Sequence, residues 1–241
     1  DYEFSSAVYG ADLDDSGSVG RAAGERTVKR LNPRKGATTT APVVFDPRVS
    51  HGLLSHLAGA INGSGIARGT SFLKDSLNQP IFAADITIVD DPHRKRGMRS
   101  KPFDAEGIAN TRRNFIDKGE LKSWVLDLRT ARQLELKTTG NASRGVSSAP
   151  SPSLTNFYME PGAVSPDALI KDIESGFYVT DLMGFGINGL TGDYSRGAAG
   201  YWIENGEIAY PVSEMTIASN LKDMYLDLTA ADDLTFRYGT N

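Results

Sequence analysis

An Asn-Gly dipeptide, Asn205-Gly206, lies between two strand-like runs and constrains the fold more than any other feature of the chain. Both positions of a two-residue hairpin turn need φ > 0, so the dipeptide predicts a β-hairpin. Residues opposite each other in such a pair share a face of the sheet. The expected pairs are Glu204 with Glu207, Ile203 with Ile208, Trp202 with Ala209 and Tyr201 with Tyr210. We expect the face with the isoleucines and tyrosines to be core.

Further turn and cap signals place other elements. Asp46-Pro47 combines an N-cap residue with a proline at the first helical position, and predicts a helix that Gly63 ends. Ser219-Asn220 predicts the cap of a short helix directly after the first hairpin. Lys118-Gly119 predicts the turn of a second hairpin, and Leu234 to Tyr238 predicts the last strand.

The strand-like runs and the helices do not alternate as regular βαβ units. The predicted fold class is therefore α+β, with large mixed or antiparallel β-sheets and a few packed helices. A chain of 241 residues, 39% hydrophobic and 23% charged, can bury a substantial core and has the composition of a globular protein.

Charge and composition exclude several classes of function. The net charge of −4 argues against nucleic-acid binding, which needs a basic surface. No apolar run reaches the length that spans a bilayer, so we expect no membrane partner. The chain has no cysteine, which excludes disulfides and thiolate metal ligands. The absence of cysteine is also compatible with a cytoplasmic location.

Glycines are dense before the first hairpin, and two interpretations of them stay open. They are Gly184, Gly186, Gly189, Gly192, Gly197 and Gly200. They fit bulges and tight bends in a large β structure. They also fit the close approach of another backbone, such as a bound peptide strand.

The segment GDYSRGAAGYWIENGEIAYPVSEMTIASNLKDM closely resembles the signature of the TldD/PmbA family, in its PmbA (TldE) branch. The likeness also covers VVFDPRV, ARGTSFLKDSL, ITIVDDP, PFDAEG and TTGNASRG, so it extends over essentially the whole chain. The family is also labelled modulator of DNA gyrase and is classed with metallopeptidases. Its members carry another domain before this region. The resemblance therefore implies that residues 1–241 are the C-terminal domain and that the N-terminal domain is absent.

The resemblance also implies a zinc motif, from which this chain departs. TldD-type subunits carry HExxxH and a C-terminal cysteine ligand, whereas here His51 and His56 flank Gly52 at the glutamate position. Glycine cannot act as the general base, and a catalytic zinc ion needs three protein ligands. The two histidines also lie about 140° apart around an ideal helix. We expect no metal at these degenerate positions and no catalytic residue in this chain. One alternative left open is a weak or adventitious metal site.

Two other places carry candidate binding residues. The GDYSRG segment contains Asp193, Tyr194, Ser195 and Arg196, which form either a charged turn or a loop that contacts substrate or a partner subunit. Glu214 is a candidate for the same cleft, the alternative being a solvated glutamate on an edge strand.

The resemblance implies a pseudo-active subunit of a peptide-processing metallopeptidase. We expect enzymatic activity only with a TldD-like zinc subunit, which would supply the zinc, while this chain carries no cofactor. The expected substrate is an unfolded peptide, held by main-chain pairing at an open strand edge. The alternative is a non-enzymatic peptide-binding or scaffold protein, such as a homodimer.

Overall fold

The computed structural model describes residues 1–236. Its helices are α1 (Ser16–Lys29), α2 (Pro47–Ala60), α3 (Gly63–Ala67), α4 (Leu128–Gln133), α5 (Pro166–Lys171) and α6 (Leu221–Leu226). Its strands are β1 (Arg34–Lys35), β2 (Val43–Phe45), β3 (Ile88–Asp90), β4 (Arg113–Asp117), β5 (Glu120–Leu121), β6 (Ala142–Ser143), β7 (Ser151–Pro152), β8 (Phe157–Met159), β9 (Ser175–Met183), β10 (Asp193–Glu204) and β11 (Glu207–Asn220). The predicted α+β class is confirmed.

The largest sheet is built around the predicted hairpin. Its strand order is β1-β11-β10-β9-β2, in which β9, β10 and β11 are antiparallel neighbours. The short strands β1 and β2 lie parallel to their neighbours at the two edges. The intervening residues 36–42 therefore connect opposite edges of this sheet.

The hairpin turn is confirmed, but the predicted register is right for only two pairs. Asn205 and Gly206 have φ of 52° and 80°, and the pairs next to the turn are Glu204 with Glu207 and Ile203 with Ile208. A register shift at Ala209 then brings Trp202 opposite Tyr210.

The predicted core face is also wrong, for two separate reasons. An extra residue in one strand reverses which side chains share a face beyond it, so Tyr210 lies opposite Trp202 and not opposite Tyr201. Before the bulge, Ile203 is completely buried, whereas 47% of its partner Ile208 is exposed. The two isoleucines are therefore partners in the ladder without both belonging to the core.

A second sheet, of order β5-β4-β3-β8, contains the other predicted hairpin. Lys118 and Gly119 have φ of 50° and 81°, the same turn conformation as in the first hairpin. A separate pair of short strands, β6 and β7, lies within the long Gly- and Ser-rich loop. One hydrophobic cluster joins elements of both larger sheets and includes Leu57, Ile88, Phe115, Val179 and Tyr225.

Helix α2 begins as predicted and ends earlier. The Asp46 side chain accepts a hydrogen bond from the backbone N–H of Arg48 (2.9 Å), and Pro47 occupies the first turn. Gly63 does not stop the helix: α2 ends at Ala60, and Asn62 caps α3, whose first residue is Gly63. The sequence signal was ambiguous because a cap for a new helix and a stop for the old one lie side by side.

The end of the chain is partly outside the described residues. The predicted cap of α6 is confirmed, since the Asn220 side chain accepts from the backbone N–H of Lys222. The predicted strand at Leu234 to Tyr238 is absent from Leu234 to Phe236, and its last two residues lie outside the described range.

None of the helices within residues 1–236 is long and apolar enough to cross a membrane.

Candidate functional site

The two histidines lie on different sides of α2. The helix is regular from Pro47 to Ala60, so nothing bends His51 and His56 toward each other. His51 is exposed, whereas His56 is half-buried. Gly52 lies one helical turn before His56, so these two residues share a face.

That face of α2 packs against strand β10. Tyr194 and Arg196 are two residues apart on β10 and therefore project from the same side of the sheet. The rings of Tyr194 and His56 meet edge to face, with centroids 6.0 Å apart. A Cβ atom at Gly52 would lie 3.9 Å from Nη1 of Arg196, and Nη2 donates to the carbonyl of Leu182 (3.2 Å).

Three buried polar atoms make no hydrogen bond of good geometry where these elements meet: Nε2 of His56, the hydroxyl of Tyr194 and Nε of Arg196. The Tyr194 hydroxyl nevertheless lies within reach of the Arg196 guanidinium. Only 2% of Tyr194 is exposed. Burial lowers the pKa of the His56 imidazole, and the positive charge of Arg196 lowers it further. Burial raises the pKa of the Tyr194 hydroxyl, an effect that the neighbouring guanidinium opposes. We call these three residues, together with Gly52, the α2–β10 cluster.

The α2–β10 cluster does not fit a catalytic zinc ion. Zinc needs nitrogen, sulfur or carboxylate donors that converge, and His51 faces away from His56. A guanidinium carries only donors and a permanent positive charge, so Arg196 beside Gly52 opposes a divalent cation there. Within residues 1–236, no group of three or more His, Cys, Asp or Glu side chains is arranged to hold a metal ion.

Asp193 and Ser195 do not join this cluster, because alternate residues of a strand point to opposite faces. Both are exposed. The Asp193 carboxylate accepts from the Thr191 hydroxyl (2.5 Å) and from the Asn220 side chain (3.1 Å). The backbone N–H of Ser195 donates to the carbonyl of Gly186 (2.6 Å). The structure thus separates the GDYSRG residues into an inward pair and an outward pair.

Glu214 lies elsewhere, at the edge of the large sheet. Its φ of 55° is unusual for a residue other than glycine, and it lies at the irregularity where β11 shifts register against β10. The carboxylate pairs with Nζ of Lys35 (2.8 Å), which raises the pKa of that lysine. Both side chains are exposed.

Glu214 borders a groove of ≈ 1180 Å³. We call it the edge groove; it is lined by residues 36–45, by Glu214 to Ser219 of β11, and by parts of α2, α5 and α6. Because side chains alternate along a strand, a groove that borders six successive residues follows the strand edge. Its floor is apolar, with Met215, Ile217, Phe177 and Trp202 among its lining residues.

The outer edge of β11 is open along this groove. Strand β1 pairs with β11 only at Val212 and Ser213. From Glu214 to Asn220, no strand of the described part of the chain pairs with that edge. Sequence reasoning missed the groove, because residues 36–42 gave no periodic signal that would place them across the sheet.

Two of the dense glycines are explained by the protein's own backbone. A Cβ atom at Gly186 would lie 1.5 Å from the carbonyl oxygen of Ser195, and one at Gly200 would lie 2.0 Å from that of Tyr178. Gly200 also lies at a register shift between β9 and β10. At Gly200 the interpretation as a bulge is confirmed, and at Gly186 the backbone that approaches closely is the protein's own.

Comparison with known proteins agrees with this architecture. The family model of the PmbA/TldA metallopeptidase C-terminal domain matches residues 38–241. The metalloprotease PmbA of Escherichia coli O157:H7 is 43% identical over 238 residues, which are 98% of this chain and 51% of that protein. The chain spans about half the length of the curated relatives it matches.

Two solved structures share the fold. A protein from Bacteroides thetaiotaomicron described as a modulator of DNA gyrase superposes with a TM-score of 0.87 and 33% identity, over 97% of this chain and 51% of that one. TldE from Thermococcus kodakarensis superposes with a TM-score of 0.80 and 26% identity, over 91% of this chain and 50% of that one.

The fold and the site thus define an α+β domain of metallopeptidase-related proteins. The chain belongs to the PmbA/TldD family, and its match is to the C-terminal domain of that family.

Proposed function

We propose that this chain is the C-terminal domain of a PmbA/TldE-like subunit that acts in peptide processing with a TldD-like zinc subunit in the cytoplasm. In this proposal the partner supplies the zinc ion and the general base. This chain supplies a wall of the shared cleft and holds no zinc of its own. The match to the metalloprotease PmbA and the likeness to TldE support this assignment.

The contact between Gly52 and Arg196 is the observation that carries the proposal. A zinc-activated water needs a general base beside it, a role worth roughly 10²–10⁴ in rate. Here the base position is a glycine, and a guanidinium lies against it. Such a site repels a metal cation and accepts no proton, so hydrolysis needs chemistry from another subunit.

The edge groove supports the binding role. An extended peptide gains main-chain hydrogen bonds by adding a strand to an open sheet edge, whatever its sequence. The free edge of β11 offers such bonds from Glu214 to Asn220. The apolar floor beneath it would bury side chains of the bound peptide.

Reconstitution with a TldD-like partner tests the catalytic part. Cleavage of an unfolded peptide is expected for the pair, and not for either subunit alone. Replacing the motif glutamate of the partner should abolish cleavage, while His51→Gln in this chain should leave it unchanged. Cleavage that persists with a zinc-dead partner would overturn the proposal. Peptide binding without turnover by the intact pair would instead favour a non-enzymatic scaffold.

A groove-filling variant tests the binding part. Ala218 is exposed on β11 and borders the edge groove, so Ala218→Trp should weaken peptide binding by about tenfold or more. Ala209 is exposed on the same strand and does not border the groove, so Ala209→Trp is the matched control. Equal binding by the two variants would exclude the groove as the peptide site.

A further inference from the structure

The wall of the edge groove carries negative charge. Three of its carboxylates belong to Asp223 and Asp227 of α6 and to Asp233, and a fourth belongs to Glu214. No lysine, arginine or histidine of the described chain borders the groove. Lys35 balances Glu214, whereas Asp223, Asp227 and Asp233 form no ion pair with any residue from 1 to 236. These three side chains are exposed, so a ligand that enters the groove meets their charge.

Two of these carboxylates repel each other in the free protein. Asp223 and Asp227 are four residues apart and therefore project from the same side of α6. Like charges at this spacing destabilise a helix. Asp227 is also the C-cap residue, where the helix dipole disfavours a negative charge. A cation bound beside them would remove both penalties.

The charges are too dispersed for a metal ion. Within residues 1–236, no group of three or more His, Cys, Asp or Glu side chains is arranged to hold one. Calcium and magnesium need several oxygen ligands that converge to about 2.0–2.6 Å from the ion. Carboxylates that line a groove without converging suit a ligand whose positive charges are spread along its length.

An extended basic peptide has such a distribution of charge. Side chains on one face of a strand repeat at every second residue, about 6.6–6.8 Å apart. Asp223 and Asp227 are separated by about 6 Å along α6, because a helix rises about 1.5 Å per residue. The groove also follows the free edge of β11 from Glu214 to Ser219, where the main chain of such a peptide would pair.

We propose that the edge groove selects extended peptide segments with lysine or arginine at alternate positions, whose cations face Asp223, Asp227 and Asp233. Main-chain pairing binds a peptide without regard to its sequence, and the three carboxylates add a preference for positive charge. The inference rests on the proposed function for the use of the groove by a peptide. It goes beyond that function in naming the class of peptide.

Calorimetry with the chain of 241 residues tests the preference. The three ligands are N-acetyl-Ala-X-Val-X-Ala-amides, in which X is lysine, glutamine or glutamate. At low salt we expect the lysine peptide to bind about tenfold more tightly than the glutamine peptide, and the glutamate peptide to bind most weakly. Because the carboxylates are exposed, the preference for lysine should fall to about threefold or less in about 0.5 M NaCl.

Variants without these charges assign the preference to the groove. Asp223→Asn combined with Asp227→Asn should reduce it to about threefold or less, and the addition of Asp233→Asn should abolish it. The matched control combines Asp232→Asn with Glu207→Gln, which removes two exposed charges that do not border the groove. It should keep the tenfold preference. Every substitution is at an exposed position and nearly isosteric, and melting curves check that each variant folds.

The outcomes separate this inference from the proposed function. Equal affinity for the lysine and glutamine peptides, with both weakened by Ala218→Trp, would overturn the charge preference and leave the groove as the peptide site. A lysine preference that Ala218→Trp leaves unchanged, or that the control variant loses as fully as the groove variant, would also overturn it. Binding of none of the three peptides would contradict both proposals. Spermidine that competes as strongly as the lysine peptide would assign the groove to small polycations instead.

Discussion

Arg196 directs Nη1 toward the backbone of Gly52, close enough that a Cβ atom at residue 52 would lie 3.9 Å away. This contact joins strand β10 to helix α2 at the position where TldD-type relatives are expected to carry a glutamate. A cation thus faces a position without a side chain.

Gly52→Ala should stabilise the protein. Glycine inside a helix costs about 0.8–1.0 kcal/mol relative to alanine, and the added methyl group meets no atom closer than 3.9 Å. We expect the free energy of unfolding to rise by about 1 kcal/mol in urea denaturation. Gly59→Ala on the same helix, with nothing within 4 Å, is the matched control and should gain a similar amount. A destabilised Gly52→Ala beside a stabilised Gly59→Ala would mean that Arg196 packs more tightly than this distance indicates.

Tyr194→Phe should stabilise the protein, although tyrosine is the native residue. The Tyr194 hydroxyl is buried beside the Arg196 guanidinium and makes no hydrogen bond of good geometry, and an unsatisfied buried hydroxyl costs about 1–3 kcal/mol. Removing it should raise the free energy of unfolding by about 1 kcal/mol. Tyr225→Phe is the matched control, because that hydroxyl donates to the carbonyl of Leu53 (3.1 Å) and its removal should be destabilising by a similar amount. If both variants lose stability, the Tyr194 hydroxyl has a partner in solution.

The turns were predictable from sequence, because Asn205-Gly206 and Lys118-Gly119 satisfy a local need for positive φ. Register was predictable only up to the bulge at Ala209, since no local signal marks where the extra residue is accommodated. For the site, a spacing of two residues on a strand gives Tyr194 and Arg196 a common face. That this face meets Gly52 and His56 depends on the packing of α2, more than a hundred residues away, which one sequence does not reveal.

Gly200→Ala should be strongly destabilising. A Cβ atom there would lie 2.0 Å from the carbonyl oxygen of Tyr178, so β9 and β10 would have to separate. We expect a loss of about 3 kcal/mol or more in the free energy of unfolding. Gly197→Ala, on the same strand with its nearest contact at 3.5 Å, is the control and should gain about 0.5 kcal/mol. Unfolding in urea, monitored by tryptophan fluorescence, measures the free energy of unfolding of both variants.

The His56 imidazole should lower the free energy of unfolding as the pH is lowered. The folded-state pKa of its imidazole is lowered by burial and by Arg196, whereas the unfolded chain has a value of about 6.5. Below about pH 6.5 the unfolded state therefore binds more protons than the folded state. The stabilisation that comes from the neutral His56 imidazole is complete above this pH, and it is lost as the pH falls toward the folded-state pKa. The difference in unfolding free energy between wild type and His56→Gln should shrink by at most about 1.4 kcal/mol per pH unit in that range.

The charged and titratable groups that face His56 are Tyr194 and Arg196. His51→Gln, at an exposed position of the same helix, is the control for losing an imidazole from α2. Urea denaturation of the three proteins between pH 5 and pH 8 tests the prediction. A difference between wild type and His56→Gln that stays constant over this range would contradict it.

Asp46 should be among the most sensitive polar positions in the protein, because one carboxylate serves three groups. Oδ1 accepts from the backbone N–H of Arg48 (2.9 Å) and from Nε of its side chain (3.0 Å). Oδ2 accepts from the Tyr178 hydroxyl (3.1 Å), which ties the start of α2 to β9. Asp46→Ala removes the cap and leaves the Tyr178 hydroxyl without this acceptor, so we expect a loss of about 2–3 kcal/mol.

Asp46→Asn separates these contributions, since its one amide oxygen caps a helix about as well as aspartate, while the amide nitrogen in place of Oδ2 can only donate to the Tyr178 hydroxyl oxygen. We expect it to lose less than about 1 kcal/mol, mostly from the ion pair with Arg48. Combining Asp46→Ala with Tyr178→Phe should cost less than the sum of the two single changes, because both remove the same hydrogen bond. Strict additivity in urea denaturation would show that Asp46 stabilises α2 alone and does not couple that helix to the sheet.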